Sequence, residues 1–179
     1  MVKATARPGL FEILRRDLGR YRGFRPPTAP QPKRWRLAFE SLVFRAGFQA
    51  VLLHRVGHRL GESGWVRSAW LVARLNLLLT GADIEFSACI GPGLLLPHPS
   101  GLVIGRGTQI GSGATIYQGV TCGIRGWGSD RASGYPNIGN DVVLFARASV
   151  LGGIRVGDGV VVGAHALITH DLAQEQRAS

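Results

Sequence analysis

Residues 138–168 read IGNDVVLFARASVLGGIRVGDGVVVGAHALI, and an aliphatic side chain returns at every sixth place: Ile138, Leu144, Val150, Val156, Val162 and Ile168. An α-helix repeats near 3.6 residues and a simple strand at 2, so neither accounts for a step of six. A triangular coil does, because each flat side uses six residues, the aliphatic one filling the prism and the small ones turning the corner. The same step runs upstream through Ile104, Ile110, Ile116 and Cys122, and before that through Ile84, Ile90 and Leu96. Glycine follows many of these positions, and nineteen of the 26 glycines lie after residue 80. Three sides close one turn, so the region predicts a mainly β fold: a parallel β-helix of about five coils over residues 81–173, its strands stacked roughly 4.8 Å apart.

Two irregularities break the count. Leu96 to Ile104 is eight residues, so two bulge out at PHPSG (97–101); Cys122 to Ile138 is sixteen, so CGIRGWGSDRASGYPN (122–137) holds a projecting loop. Departures from a solenoid's repeat concentrate on a working face, which directs the search for chemistry to these two places.

Upstream of Gly81 the period changes. GLFEILRRDLGRYR (9–22) carries apolar residues at helical spacing, and GFRPPTAPQPK (23–33) breaks the pattern with four prolines. Trp35 to Thr80 predicts two helices joined at GESG (61–64). Residues 1–80 are thus read as a basic arm and α-helical cap, and 174–179 as a polar tail. The formal charge of +10 is concentrated at the start: eleven Lys or Arg against three acids in residues 1–45. Such an arm suits an anionic partner, a membrane surface or a phosphorylated acceptor. No recognisable nucleic-acid-binding motif accompanies it. Cys89 and Cys122 form no CxxC pair and are read as small buried hydrophobes of a reduced, cytoplasmic protein. No secretory signal and no transmembrane segment is expected.

LPHPSGLVIGRGTQIGSGATIYQGVTCG (96–123) and YPNIGNDVVLFARASVLGGIRVGDGVVVGAHALITHD (135–171), with AVLLHRVGHRL (50–60) and GADI (81–84) before them, resemble the serine acetyltransferase family over roughly residues 45–171. The resemblance implies a left-handed β-helix, acetyl transfer from acetyl-CoA to a hydroxyl, no metal, and a homotrimer, with a dimer of trimers joined through the cap as the larger assembly of some relatives. His98 in the bulge matches the catalytic base, a role that neutral imidazole suits. Asp83 matches its partner carboxylate, placed near the same corner one rung away. Backbone N–H groups around Gly119 to Gly123 are expected to hold the oxyanion, and Ala146 and Ala164 to line the coenzyme groove between subunits. Arg125 and Trp127 in the projecting loop are read either as contacts to coenzyme A or a neighbour, or as loop residues with no role.

The departures bear on the acceptor. Pro97 stands where the family has an Asp that helps hold serine, and Gly134-Tyr135-Pro136 replaces an Arg-His-Pro run. LPHPSG with GYPNIG is similar to exopolysaccharide O-acetyltransferases of the colanic-acid type. A sugar hydroxyl is therefore the expected acceptor, with Tyr135 stacking on or bonding to the ring, and serine is the alternative. The chain stops at DLAQEQRAS (171–179) where the family generally continues over the coenzyme, so weaker coenzyme binding or an inactive or scaffolding trimer is a further alternative. His165 and His170 have the spacing of two zinc ligands in β-helical hydratases, but no third histidine lies near residue 129. His54 and His58, four apart on a helix, are read as packing residues rather than metal ligands.

Overall fold

The computed structural model describes residues 8–24, 32–126 and 134–178. The cap comprises α1 (Leu10–Arg20), a 3-10 turn (Tyr21–Phe24), α2 (Arg34–Phe44), α3 (Ala46–Glu62) and α4 (Val66–Thr80). Where the sequence predicts two helices between Trp35 and Thr80, there are three. Arg45 adopts an extended conformation (φ −121°, ψ 95°) that divides the first. The apolar spacing runs on through this break, so periodicity alone does not show it. α4 stops at Gly81, whose φ of 74° and N–H bond to the Leu77 carbonyl (2.9 Å) make a left-handed cap.

Beyond Gly81 the chain coils as a left-handed parallel β-helix with three faces. Face 1 stacks β1 (Asp83–Ile84), β3 (Val103–Ile104), β6 (Thr121–Gly123), β9 (Ser149–Leu151) and β12 (Leu167–Ile168). Face 2 stacks β2 (Cys89–Ile90), β4 (Gln109–Ile110), β7 (Asn137–Ile138) and β10 (Arg155–Val156). Face 3 stacks β5 (Thr115–Ile116), β8 (Val143–Leu144), β11 (Val161–Val162) and β13 (Arg177–Ala178), with Leu95 bridging to Thr115 as its first rung. All pairings are parallel and in register, for example Asp83 with Val103 and Ile104 with Cys122.

Each short strand offers one residue outward and the next inward. The inward set, Ile84, Ile90, Leu96, Ile104, Ile110, Ile116, Cys122, Ile138, Leu144, Val150, Val156, Val162 and Ile168, is buried throughout and forms one continuous core. The alternation corrects the reading of Cys89. It takes the outward place of β2 and is exposed, whereas Cys122 points inward, where burial pushes its thiol up to about 12. The ladder also runs past the expected boundary at 173: Leu172 bridges to Val156 and Arg177–Ala178 pairs with Val161–Val162, so the polar end completes a fifth coil.

The cap is fastened to the first two coils by polar bonds as well as packing. Arg20 donates to the Thr115 hydroxyl (2.8 Å), and the Leu96 N–H donates to the Tyr21 hydroxyl (3.3 Å). Gly47 of α3 lies so close to the coil that a Cβ there would stand 1.8 Å from the Leu96 carbonyl oxygen.

Candidate active site

The bulge at residues 97–101 sits on the edge where face 3 turns into face 1. It is pinned from both sides: Gly101 N–H donates to the Gly81 carbonyl (2.8 Å), and Gly119 N–H donates to the Ser100 carbonyl (3.0 Å). A third bond, from Leu102 N–H to the Pro99 carbonyl (3.2 Å), closes the turn. Pro99 is buried and Pro97 half-buried, while His98 between them is exposed. Two restrained φ angles flank a solvent-facing imidazole, a geometry that presents a base without letting its backbone wander.

The same edge carries a column of left-handed residues, one per coil: Gly81 (φ 74°), Gly101 (70°), Gly119 (69°), Arg147 (61°) and His165 (62°). Arg147 N–H donates to the Gln118 carbonyl (2.9 Å) and His165 N–H to the Ala146 carbonyl (3.0 Å). Gly119, Ala146 and Ala164 therefore lie in successive coils along the edge that bears His98. Ala146 is half-buried and Ala164 exposed, so small side chains leave a shallow track. Beside the track Tyr117 and Phe145 stack with centroids 5.2 Å apart and planes at 20°. This aromatic wall was not read from the sequence, although both residues directly follow inward aliphatic positions, Ile116 and Leu144, on face 3.

Other expectations meet the geometry differently. The Gly119 amide is bonded to Ser100, and the Thr121 amide to the Ala148 carbonyl (3.0 Å), so neither is free to receive an oxyanion. Gly123 ends β6 at the opposite edge of face 1, away from the track. Asp83 begins β1 beside the bulge, where a Cβ on Gly81 would meet the Ser100 Cα at 3.3 Å. Yet no hydrogen bond or ion pair joins its carboxylate to His98 among the described residues.

Asp83 instead lines a cavity of about 480 Å³ with Glu85, Arg74, Arg106 and Tyr135. Tyr135 lies flat over the corner of the coil below: a Cβ on Gly105 would come within 2.7 Å of its ring, and one on Gly107 within 2.4 Å. Trp127 lies outside the described residues, and Arg125 is exposed. No group of three His, Cys, Asp or Glu side chains that could hold a metal ion occurs among the described residues. His54 is buried, and both its ring nitrogens are unpartnered among the described residues.

Residues 135–170 match the bacterial transferase hexapeptide family (six repeats). Over 134 residues the chain is 41% identical to the serine acetyltransferase of Helicobacter pylori, covering 75% of this chain and 77% of that protein. The chain belongs to the serine acetyltransferase family. As a member of that family it is an acyltransferase with acetyl-CoA as its co-substrate. The crystal structure of Neisseria gonorrhoeae serine acetyltransferase superposes with a TM-score of 0.82 at 29% identity, over 94% of this chain and 61% of that one. Soybean serine acetyltransferase complexed with serine gives 0.82 at 29%, over 96% and 67%. The chain thus spans about three-fifths of the length of the gonococcal enzyme. These relatives give no support to the sugar acceptor expected from the Pro97 and Tyr135 departures, nor to a glycan partner; they favour the alternative, serine.

Proposed function

We propose that this chain is a serine O-acetyltransferase that uses His98 as its base. The observation that carries the reading is the placement of His98, on a pinned bulge, at the head of the edge formed by Gly119, Ala146 and Ala164. Along that edge the small residues leave room for an extended thioester. The imidazole takes the proton of the serine hydroxyl as its oxygen attacks the thioester carbonyl, and returns a proton to the departing coenzyme thiolate. Asp83, at the same corner, stabilises the imidazolium that forms in between. Pro97 stiffens the base's backbone, and Tyr135 walls the acceptor side.

The working unit is a homotrimer in the cytoplasm. α4 abuts β1, and its outer face shows Leu71, Leu78 and Leu79 at 72%, 81% and 63% exposure; at the far end of face 1, on β12, the outward Leu167 is 62% exposed. Exposed apolar side chains at both ends of one face of a slender prism suit cyclic packing. No helix among the described residues is long and apolar enough to cross a membrane.

Coenzyme A release from acetyl-CoA, followed with free L-serine and separately with nucleotide-linked sugars, tests the acceptor. Serine turnover is expected; release with sugars alone would overturn the reading. Sedimentation equilibrium tests the assembly, with a mass three times that of the chain expected.

A further inference from the structure

α2 (Arg34–Phe44) turns its more apolar side outward. Trp35, Phe39, Leu42 and Val43 follow one another at steps of four, three and one, which sets them in a single stripe. All four are exposed, Trp35 at 68% and Phe39 at 61%, and Phe44 at the end of the helix is exposed as well. The inward side is the poorer one. Its fully buried residues are Leu37 and Ser41, four apart and opposite the stripe, and the Ser41 hydroxyl has no hydrogen-bond partner among the described residues. A surface helix ordinarily shows polar groups to water, so an outward stripe with two aromatic side chains implies an apolar cover.

Charge identifies that cover. Lys33, Arg34 and Arg36 stand exposed at the start of α2, and no ion pair engages them among the described residues. α1, which touches α2, adds exposed Arg15 and Arg16. Acids do not offset them: residues 1–45 hold three against eleven bases, and one of the three, Asp17, is paired with buried Arg55. A second copy of α2 laid on the stripe would bring another Lys33, Arg34 and Arg36 to the same interface, opposed in each helix only by Glu40. α2 packs on α3 and α1, whereas α4 packs on α3 and β1, so the stripe is a surface apart from the leucine face of α4 that suits the trimer. The exposed side chains form a ridge rather than a groove. A bilayer needs no preformed groove: Trp and Phe settle at headgroup depth while guanidinium groups reach the phosphates.

We infer that α2 is an interfacial helix that seats the protein on an anionic bilayer surface. Trp35, Phe39, Leu42 and Val43 enter the boundary between headgroups and acyl chains, and Lys33, Arg34 and Arg36 contact lipid phosphates. The helix lies in the plane of the surface and does not cross it, since its 11 residues span only about 16 Å, roughly half the hydrocarbon thickness. Attachment depends on both components: the stripe is short, and attraction between charges is screened beyond about 10 Å at ordinary salt. The inference is independent of the serine reading, so bilayer attachment and acceptor use stand or fail separately.

The experiment sediments the full chain with vesicles of phosphatidylcholine alone and of phosphatidylcholine mixed equally with phosphatidylglycerol, at low and at high salt. Wild type is compared with Trp35→Ser/Phe39→Ser, Arg34→Gln/Arg36→Gln and Trp35→Phe. Wild type is expected to bind the mixed vesicles at low salt and to release them at high salt. Each double variant should lower that affinity about 10- to 30-fold, at an unchanged Tm because the altered side chains are exposed. Trp35→Phe should still bind while losing most of the blue shift in tryptophan emission that wild type shows on binding. Equal binding to both vesicle types, binding that either double variant leaves intact, or a blue shift that persists in Trp35→Phe would overturn the inference. So would failure of wild type to bind the mixed vesicles; if Trp35→Ser/Phe39→Ser then had half the wild-type mass by sedimentation equilibrium, the stripe would belong to a contact between copies instead.

Discussion

Asp17 of α1 and Arg55 of α3, 38 residues apart in sequence, form an ion pair (3.0 Å and 3.2 Å) with side-chain exposures of 0% and 4%. Both groups are nearly saturated with hydrogen bonds. Asp17 also accepts the N–H groups of Gly93 (2.7 Å) and Leu94 (2.9 Å), and Arg55 donates to the carbonyls of Ile90 and Gly91. The pair therefore stitches two helices of the cap to one corner of the first coil. Burying two charges costs several kcal/mol, which only a full set of bonds offsets, whereas removing one partner strands the other. Asp17→Ala is expected to lower the unfolding free energy by about 3–5 kcal/mol, measured by urea denaturation. The double variant Asp17→Leu/Arg55→Met should lose less than the sum of the single ones. Strict additivity would show that the pair is not coupled.

His98→Ala is expected to reduce kcat about 100- to 10,000-fold, the usual reach of general-base catalysis, with little change in the KM for acetyl-CoA or in thermal stability. The side chain is exposed and, among the described residues, the bonds that pin the bulge are backbone ones, so a loss of activity without a loss of stability separates chemistry from structure. Undiminished turnover would remove His98 from the mechanism.

Much of this architecture was legible because a six-residue step has few structural meanings. Ile84 to Ile168 fixed the coil, the eight-residue step located His98, and the sixteen-residue step located the approach to Tyr135. What escaped is of another kind. The split at Arg45 leaves the apolar spacing intact, so periodicity cannot see it. Cys89 was misread because it precedes the inward residue rather than occupying its place. The end of the ladder was set too early because the outward residues of the fifth coil are polar and its strand at Arg177–Ala178 is short. The charge set of Glu85, Arg74 and Arg106 is scattered across a helix and two coils, and only stacking brings it together. For the acceptor, the comparisons favour serine, the alternative reading, over the sugar expected from the departures at Pro97 and Tyr135.

Gly47→Ala tests how tightly the cap is seated. The added methyl would stand 1.8 Å from the Leu96 carbonyl oxygen and 3.1 Å from the Tyr21 hydroxyl, so α3 or the coil must move. Alanine favours an α-helix over glycine by about 1 kcal/mol, yet overpacking against backbone costs about 1–3 kcal/mol. A net loss of stability is expected, together with weakening of the Leu96 N–H to Tyr21 bond. Because Leu96 immediately precedes the bulge, kcat should fall as well. A variant as stable and as active as wild type would show that the contact yields freely.

The pH dependence of stability should carry the mark of His54. It is buried in α3 beside Arg55 and His58, with no bond to either ring nitrogen, and desolvation by burial, reinforced by the nearby Arg55 charge, holds its pKa well below the ordinary 6.5. A lowered folded-state pKa means that, below pH 6.5, the unfolded chain binds a proton that the folded chain refuses. The contribution is thus fully present above 6.5, and is lost as pH falls from there toward the depressed folded value, at up to about 1.4 kcal/mol per pH unit. His54→Leu removes the titrating group while filling the same apolar site. Urea denaturation at pH 7.5 and 5.5 should show wild type losing more stability over that interval than the variant, the difference between the two isolating His54 from every other titrating group. Equal losses would mean that the imidazole finds a proton or a solvent path in the folded state.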